Sequence, residues 1–115
     1  MAFANFALLS VALATTAMAP PAADSARDAQ ANAAFTVYPK ESLANGEQGT
    51  VRYHVKIDAR GRATDCEITE SSGFERLDLA TCTMLMDRAQ FTPAHDERGH
   101  GTRSTYDGKV VWRIG

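Results

Sequence analysis

The chain has 115 residues and a net charge of −2, and 44% of its residues are hydrophobic. This length suits one domain of ordinary size and excludes a large two-domain enzyme. The slight negative charge gives no electrostatic reason to expect binding to nucleic acid or to anionic lipid. All charged side chains follow position 19, so an apolar N-terminal segment precedes a polar remainder.

The first 19 residues have the pattern of a secretory signal peptide. Residues 6–14 form an apolar core, and Ala17 and Ala19 place small side chains where a signal peptidase reads. We therefore predict a signal peptide over residues 1–19, cleaved after Ala19, and export of the domain, which in a bacterium would place it in the periplasm. The alternative is an uncleaved inner-membrane anchor. It is the weaker interpretation, because polar residues interrupt the segment and spanning needs about 20 predominantly apolar residues.

A low-complexity segment follows the predicted cleavage point. Residues 20–34 are rich in alanine and contain no large apolar side chain. Such a segment cannot bury enough apolar surface to offset the entropy lost on ordering. We expect a flexible Ala/Pro-rich leader over residues 20–37 and a single domain over residues 38–115.

The domain opens with a short helix and a clearly alternating strand. Pro39 can begin a helix that runs through Ala44, and Asn45-Gly46 can end it. Alternation of apolar and polar residues from Gly49 to Ile57 then predicts a half-buried strand. Its inward positions are Val51, Tyr53, Val55 and Ile57.

A second strand is predicted to form a hairpin with the first. Residues 58–61 make a turn, in which Gly61 can take a left-handed conformation. The strand follows over residues 62–69. Its inward side chains would be Thr64, Cys66 and Ile68.

The last third of the chain predicts a helix and a final strand. Ser72 and Glu75 have the spacing of a capping box, which marks a helix that runs from about Phe74 to Ala89. Residues 95–104 read as a polar loop, and alternation over residues 110–114 predicts a strand. The order αββαβ predicts an α+β two-layer sandwich, with an antiparallel three-stranded sheet and helices packed on one face.

The two cysteines predict a disulfide. An even number of cysteines in an exported domain favours pairing. Cys66 points inward from the second strand, and Cys82 lies on the helix that packs above it. The alternative is that Cys66 and Cys82 are two separate buried thiols. Their spacing does not resemble a redox-active Cys-x-x-Cys motif.

The sequence gives little support for a metal site or for catalysis. Histidines and carboxylates cluster in the polar loop, at His95, Asp96, Glu97 and His100, but a flexible loop offers no ordered ligand set, so a solvated loop is the better interpretation. Ser71 and Ser72 lack the context of a nucleophile elbow. We therefore expect no metal site and no enzyme.

An ordered set of short motifs resembles a known family. They keep their order and spacing from Tyr38 to Ile114, and together they are similar to the C-terminal domain of TonB-type energy transducers. The motifs are Tyr38-Pro39, Gln48-Gly49, Asp58-Ala59-Arg60-Gly61, Ser71-Ser72-Gly73, Leu77-Asp78, Phe91-Thr92-Pro93-Ala94 and the closing strand Val110–Ile114.

The resemblance implies a periplasmic domain that binds the N-terminal peptide of an outer-membrane receptor. In that family the peptide adds a strand to the exposed edge of the last strand, and the segment before the domain also contacts it. The candidate partner-binding residues are Lys109, Val110, Val111, Trp112, Arg113, Ile114, Phe35, Val37 and Tyr38. Trp112 is expected in the core, although an aromatic side chain on an edge strand could instead anchor a peptide.

Two functions remain open at this point. The first is a protein-binding module associated with TonB-dependent transport, whose last strand pairs with a receptor peptide or with a second copy of the chain. The alternative is a structural or competitive periplasmic protein without receptor contact or energy transduction. No cofactor, small-molecule substrate or nucleic acid is implied. The predicted signal peptide and short leader favour a stand-alone exported form.

Overall fold

The computed structural model describes residues 22–115. The predicted signal peptide, with cleavage after Ala19, lies outside the described residues. Within them, no helix is both long enough and apolar enough to cross a membrane. In chain order the elements are α1 (Ala22–Asn32), α2 (Lys40–Ala44), β1 (Gly49–Ile57), β2 (Ala63–Glu70), α3 (Glu75–Arg88), β3 (Ala94–His95), β4 (Gly101–Thr102) and β5 (Ser104–Trp112).

The fold is a three-stranded antiparallel sheet with helices on one face. β1 lies at the centre, with β2 on one side and β5 on the other. α3 packs against β2 and β1, and α1 packs against β5. This arrangement confirms the predicted α+β two-layer architecture. The predicted polar loop after α3 contains one further element, the two-residue hairpin β3–β4.

The inward face of β1 is the centre of the core, as its alternation predicts. Each of its four apolar side chains is at most 1% exposed. Leu77 and Leu85 of α3 are fully buried and belong to the same two apolar clusters. The β1 residues in these clusters are Val51, Tyr53, Val55 and Ile57.

The inward set of β2 differs from the prediction at one position. Thr64 is exposed, whereas Ala63 is only 7% exposed. A register shift just before Ile57 makes that residue pair with Ala63. Such a bulge leaves one residue of the longer strand unmatched, so Thr64 does not face the core. Cys66 and Ile68 lie against the core as predicted.

The β1–β2 turn is held by a carboxylate and requires glycine. Asp58 Oδ1 accepts hydrogen bonds from the backbone N–H groups of Arg60 (2.8 Å) and Arg62 (3.0 Å). These bonds hold the pKa of Asp58 below its ordinary value. Gly61 has a φ of +88°, and a Cβ there would lie 1.9 Å from the Phe91 carbonyl oxygen. A larger residue would therefore separate the turn from the segment that follows α3.

The start of α3 is stabilised differently from the predicted capping box. The helix begins at Glu75, with Phe74 as its cap residue and no side-chain cap bond, so the Ser72–Glu75 box is wrong. The Asp78 side chain organises the start of the helix instead. Its carboxylate accepts hydrogen bonds from the Ser72 N–H (3.0 Å), the Ser72 hydroxyl (2.8 Å) and the Ser71 hydroxyl.

The Asp78 carboxylate should make the stability of the domain depend on acid. Burial raises the pKa of Asp78, but the bonds from Ser71 and Ser72 outweigh it and leave the pKa lowered. A carboxyl with a lowered pKa stabilises the fold above its unfolded pKa of about 4, and this contribution is lost as the pH falls through the folded pKa. We expect Asp78→Ala to cost about 1 kcal/mol in urea unfolding at neutral pH, and less at about pH 2.

The matched control is Asp87→Ala, at an exposed position of the same helix. This control should leave the free energy of unfolding nearly unchanged. An equal loss for Asp78→Ala at both pH values would contradict the assigned role of its charge.

The disulfide between Cys66 and Cys82 is present in the structure. The two Cα atoms are 5.6 Å apart, and the bond joins β2 to the middle of α3. It fixes the helix to the strand that lies farthest from β5 in the sheet.

The segment expected to be a flexible leader contains an ordered helix. Ala31 and Ala34 are at most 1% exposed and lie in the core cluster with Tyr53 and Tyr106. The Gln30 side chain donates to Thr92 Oγ1 (2.8 Å) and accepts from the Thr92 N–H (2.9 Å). Small side chains let α1 approach the sheet closely, so burial does not require the large apolar residues that the segment lacks.

β5 begins earlier than predicted and ends at Trp112. Its inward positions in the first half are Tyr106 and Gly108, and the glycine interrupts the apolar pattern from which a strand could be predicted. A Cβ at Gly108 would lie 2.5 Å from the Tyr53 hydroxyl oxygen. The side chain of the neighbouring strand therefore occupies the space that a residue here would need.

Candidate functional site

The sheet has two lateral edges, formed by β2 and β5. Among residues 22–115, each of these strands pairs with β1 alone. In an antiparallel pair, alternate residues direct their backbone N–H and C=O groups away from the partner strand. Each edge therefore carries a row of backbone groups that could pair with another strand.

β5 is the more regular of the two edges. It pairs with β1 over nine residues, from Gly49 opposite Trp112 to Ile57 opposite Ser104, without a register shift. β2 has register shifts near both of its ends. It also carries three carboxylates, and bulges and charges are devices that protect an edge from pairing. These carboxylates are Asp65, Glu67 and Glu70.

The candidate residues of the last strand divide between two faces. Val110 and Trp112 point into the core and are 8% and 5% exposed. Lys109 and Val111 point to the opposite face of the sheet, which no helix among residues 22–115 covers. Arg113 and Ile114 follow the end of β5, and the Ile114 N–H donates to Gln48 Oε1 at 2.8 Å.

Trp112 is a core residue. Its indole N–H donates to Thr81 Oγ1 at 3.0 Å, and its ring makes edge-to-face contacts with Phe35 and Tyr38 at centroid distances of 5.9 and 5.2 Å. All three contacts of the ring are therefore made by residues of this chain. We conclude that the ring is occupied in packing α3 and the N-terminal segment onto β5.

The three N-terminal candidates, Phe35, Val37 and Tyr38, have different surroundings. Phe35 packs between Tyr53 and Trp112. Tyr38 packs on Trp112, and its hydroxyl donates to the Glu47 carbonyl oxygen. Burial and the Glu47 charge raise the pKa of Tyr38, so its phenol is neutral at physiological pH. Val37, at 51% exposed, is the one of these three side chains that is open to a partner.

The uncovered face of the sheet is charged. Pairs form across the strands between Arg52 and Glu70 (3.4 Å), Lys56 and Asp65 (3.9 Å), and His54 and Asp107 (2.7 Å). Exposed pairs of this kind contribute about 0–1 kcal/mol each. Their main effect is therefore to set the charge that an approaching chain meets.

α1 lies beside the first half of β5. The Tyr106 hydroxyl donates to Asp28, and burial together with the Asp28 charge raises the pKa of Tyr53. An open pocket of about 410 Å³ lies beside this contact, between the helix and the strand. It is lined by Arg27, Asp28, Thr105, Tyr106 and Asp107. The sequence did not indicate this part of the site, because neither α1 nor the first half of β5 shows an apolar repeat.

Comparison with known proteins identifies the domain. Residues 36–114 match the family model described as the C-terminal of the Gram-negative bacterial TonB protein. The chain belongs to the TonB C-terminal family. This family is associated with TonB-dependent transport. No curated protein matches the chain.

Two solved TonB C-terminal domains have the same fold. The domain of Pseudomonas aeruginosa TonB is 24% identical and gives a TM-score of 0.57, covering 68% of this chain and 77% of that one. The domain of Helicobacter pylori TonB is 17% identical and gives a TM-score of 0.60, covering 84% of this chain and 98% of that one. At these identities the likeness shows the fold alone.

The TonB family match does not include α1. The matched residues begin at position 36, whereas α1 ends at Asn32. The helix is nevertheless bonded to Thr92 and Tyr106, both of which lie inside the match. It therefore lies outside the residues that the family model matches, but it is joined to them by these bonds.

The side chains considered for metal binding and catalysis include Asp96, Ser71 and Ser72, which make structural hydrogen bonds. The described residues contain no group of three or more His, Cys, Asp or Glu side chains that could hold a metal ion. Asp96 Oδ1 accepts from the N–H groups of Arg98 and His100, both at 2.9 Å, so this carboxylate organises the β3–β4 turn. The Ser71 and Ser72 hydroxyls donate hydrogen bonds to the Asp78 carboxylate at the start of α3.

Proposed function

We propose that the outer edge of β5 binds an extended peptide of an outer-membrane receptor by strand addition. The protein would act in the periplasm as a component of TonB-dependent transport. The observation that carries the proposal is that β5 pairs with β1 over nine residues without interruption, while its outer edge pairs with no described strand. Membership of the TonB C-terminal family supports the choice of partner.

The physical basis is the row of backbone groups along β5. An added strand satisfies these donors and acceptors, and its side chains then alternate between the two faces of the enlarged sheet. On one face they would lie beside Trp112 and α1, and on the other beside Lys109 and Val111. Main-chain pairing supplies affinity, and the contacts on the two faces supply selectivity.

The test follows the backbone amides of the protein during titration with synthetic peptides from the N-terminal segments of outer-membrane receptors. Each peptide is made in two further forms, N-methylated at alternate residues. N-methylation removes a donor, so we expect one set to lose binding and the other to retain it. The amide signals of residues 104–112 should shift, and those of the alternate residues whose N–H groups point away from β1 should exchange more slowly with solvent.

Other outcomes identify other functions. Equal binding of both methylated forms would contradict strand addition, because contacts made only by side chains do not distinguish them. Shifts that mapped to β2 (Ala63–Glu70) instead of β5 would also contradict the proposal. If no receptor peptide perturbs β5, the structural or competitive function replaces the proposal. Shifts in β5 that depend on protein concentration alone would indicate pairing with a second copy.

A further inference from the structure

A basic strip lies at the C-terminal end of β5 on the uncovered face of the sheet. It consists of Lys109, Val111 and Arg113, all exposed. Val111 is 48% exposed and is the apolar member of the strip. Within residues 22–115, neither Lys109 nor Arg113 forms a salt bridge.

The basic strip is next to a third cation. Lys109 lies directly opposite Arg52 in the β1–β5 ladder. Like charges at opposed positions destabilise a sheet. Glu70 lies 3.4 Å from Arg52 and balances one of the two charges, which leaves the other uncompensated. An anionic side chain arriving on the outer side of β5 would relieve this repulsion.

The same end of the sheet has a shallow recess. A cavity of about 240 Å³ lies between the start of β1 and the end of β5. Its lining includes Gln48, Thr50, Val111 and Arg113. A small aliphatic side chain beside Val111 would cover exposed apolar surface there, and removing that surface from water favours binding.

The two halves of β5 carry opposite charge. Asp107, two positions before Lys109 and on the same face of the sheet, lies 2.7 Å from His54. An acidic side chain on the added strand would be repelled near Asp107 and attracted near Lys109. The charge pattern therefore specifies a register as well as a sign.

We propose that the basic strip selects a peptide strand with the pattern acidic, any residue, aliphatic, any residue, acidic. This inference rests on the proposed function. Residues on one face of a strand recur at every second position, so the three side chains lie opposite Lys109, Val111 and Arg113 in turn. The pattern reads the same in both directions, and the selection holds whether the added strand runs parallel or antiparallel to β5.

The test compares two peptides of equal length against the same protein. One is acetyl-Thr-Glu-Thr-Val-Thr-Glu-Thr-amide and the other has lysine in place of both glutamates. Two exposed ion pairs should make the acidic peptide bind about tenfold more tightly. Raising the salt concentration from about 0.05 M to about 0.5 M should reduce the preference, because exposed charges are screened.

Charge reversal in the protein locates the effect. Lys109→Glu should remove the preference for the acidic peptide, whereas the matched control Arg98→Glu should keep it. Arg98 is an exposed cation between β3 and β4, at the other end of the sheet. Because both positions are exposed, each variant should stay folded. Arg98→Glu should unfold at the wild-type urea concentration, and Lys109→Glu at an equal or slightly higher one, because it replaces a like-charge pair with Arg52 by an opposite-charge pair.

The outcomes separate this inference from the proposed function. If both peptides shift the β5 amides with equal affinity, strand addition stands and the selection is overturned. If neither peptide affects β5, but receptor segments do, the acidic pattern is again overturned. A preference that Arg98→Glu removes as fully as Lys109→Glu would place the effect in the net charge of the protein, and this also overturns the proposal.

Discussion

Replacing Trp112 by alanine is expected to lower the free energy of unfolding by about 3–5 kcal/mol, because the change removes a large buried ring and leaves a cavity. The ring is 5% exposed and packs on Phe35 and Tyr38. Its N–H also bonds to Thr81, whose hydroxyl donates to the Leu77 carbonyl oxygen. The substitution therefore loosens β5, α3 and the N-terminal segment together.

Urea unfolding followed by circular dichroism measures this effect. The matched control is Val111→Ala, one residue away on the same strand but on the exposed face, and it should cost less than about 1 kcal/mol. If Trp112 anchored a peptide instead of the core, its replacement would leave stability nearly unchanged and abolish peptide binding. That result would overturn the packing role.

Loss of the Cys66–Cys82 disulfide is the second large expected effect. The bond closes a loop with a sequence separation of 16. In the chain-entropy model, a loop of this size contributes about 3 kcal/mol by restricting the unfolded chain. We expect the Cys66→Ser/Cys82→Ser double variant to lose that amount in urea unfolding, and reduction of the wild-type protein to have a similar effect.

The double variant is its own control for the reductant. Dithiothreitol should lower the stability of the wild-type protein and leave that of the variant unchanged. Two thiols that react with an alkylating agent in protein prepared from an oxidising compartment would contradict the disulfide. The loss matters because the sheet has only three strands, and such a small core leaves little stability in reserve.

The structure was predicted most accurately where apolar and polar side chains alternate without interruption. Residues 49–57 show strict alternation, and the bounds of β1 and its buried face are as predicted. The disulfide followed from placing Cys66 and Cys82 on elements that face each other. For β1 a local pattern was sufficient, because its partners did not need to be known. For the disulfide, the order of the elements was sufficient to place the helix over the strand.

Two parts of the structure could not be predicted in this way. The N-terminal segment is buried through Ala31 of α1 and Ala34 just after it. Their small size carries no apolar signal, and only the surrounding surface makes them fit. The first half of β5 pairs with β1 although Gly108 interrupts its pattern, because Tyr53 fills the missing volume. Both depend on contacts between distant parts of the chain.

The candidate site was predicted in position but not in detail. The last strand was expected at an edge, and β5 lies there. The roles of its residues became clear only from the fold, which places Trp112 in the core and Lys109 opposite Arg52. The sequence pattern of a strand predicts which of its residues share a face. It does not predict which residue of the neighbouring strand lies opposite each of them.

The division of β5 into two faces has a consequence for protein engineering. At Gly108 any side chain would collide with Tyr53 and Tyr106, so the inward positions of the strand cannot be varied without rebuilding the aromatic core. The outward positions carry no such constraint. A library randomised only at positions 105, 109 and 111 should yield folded variants whose peptide preferences differ, with the backbone pairing left intact.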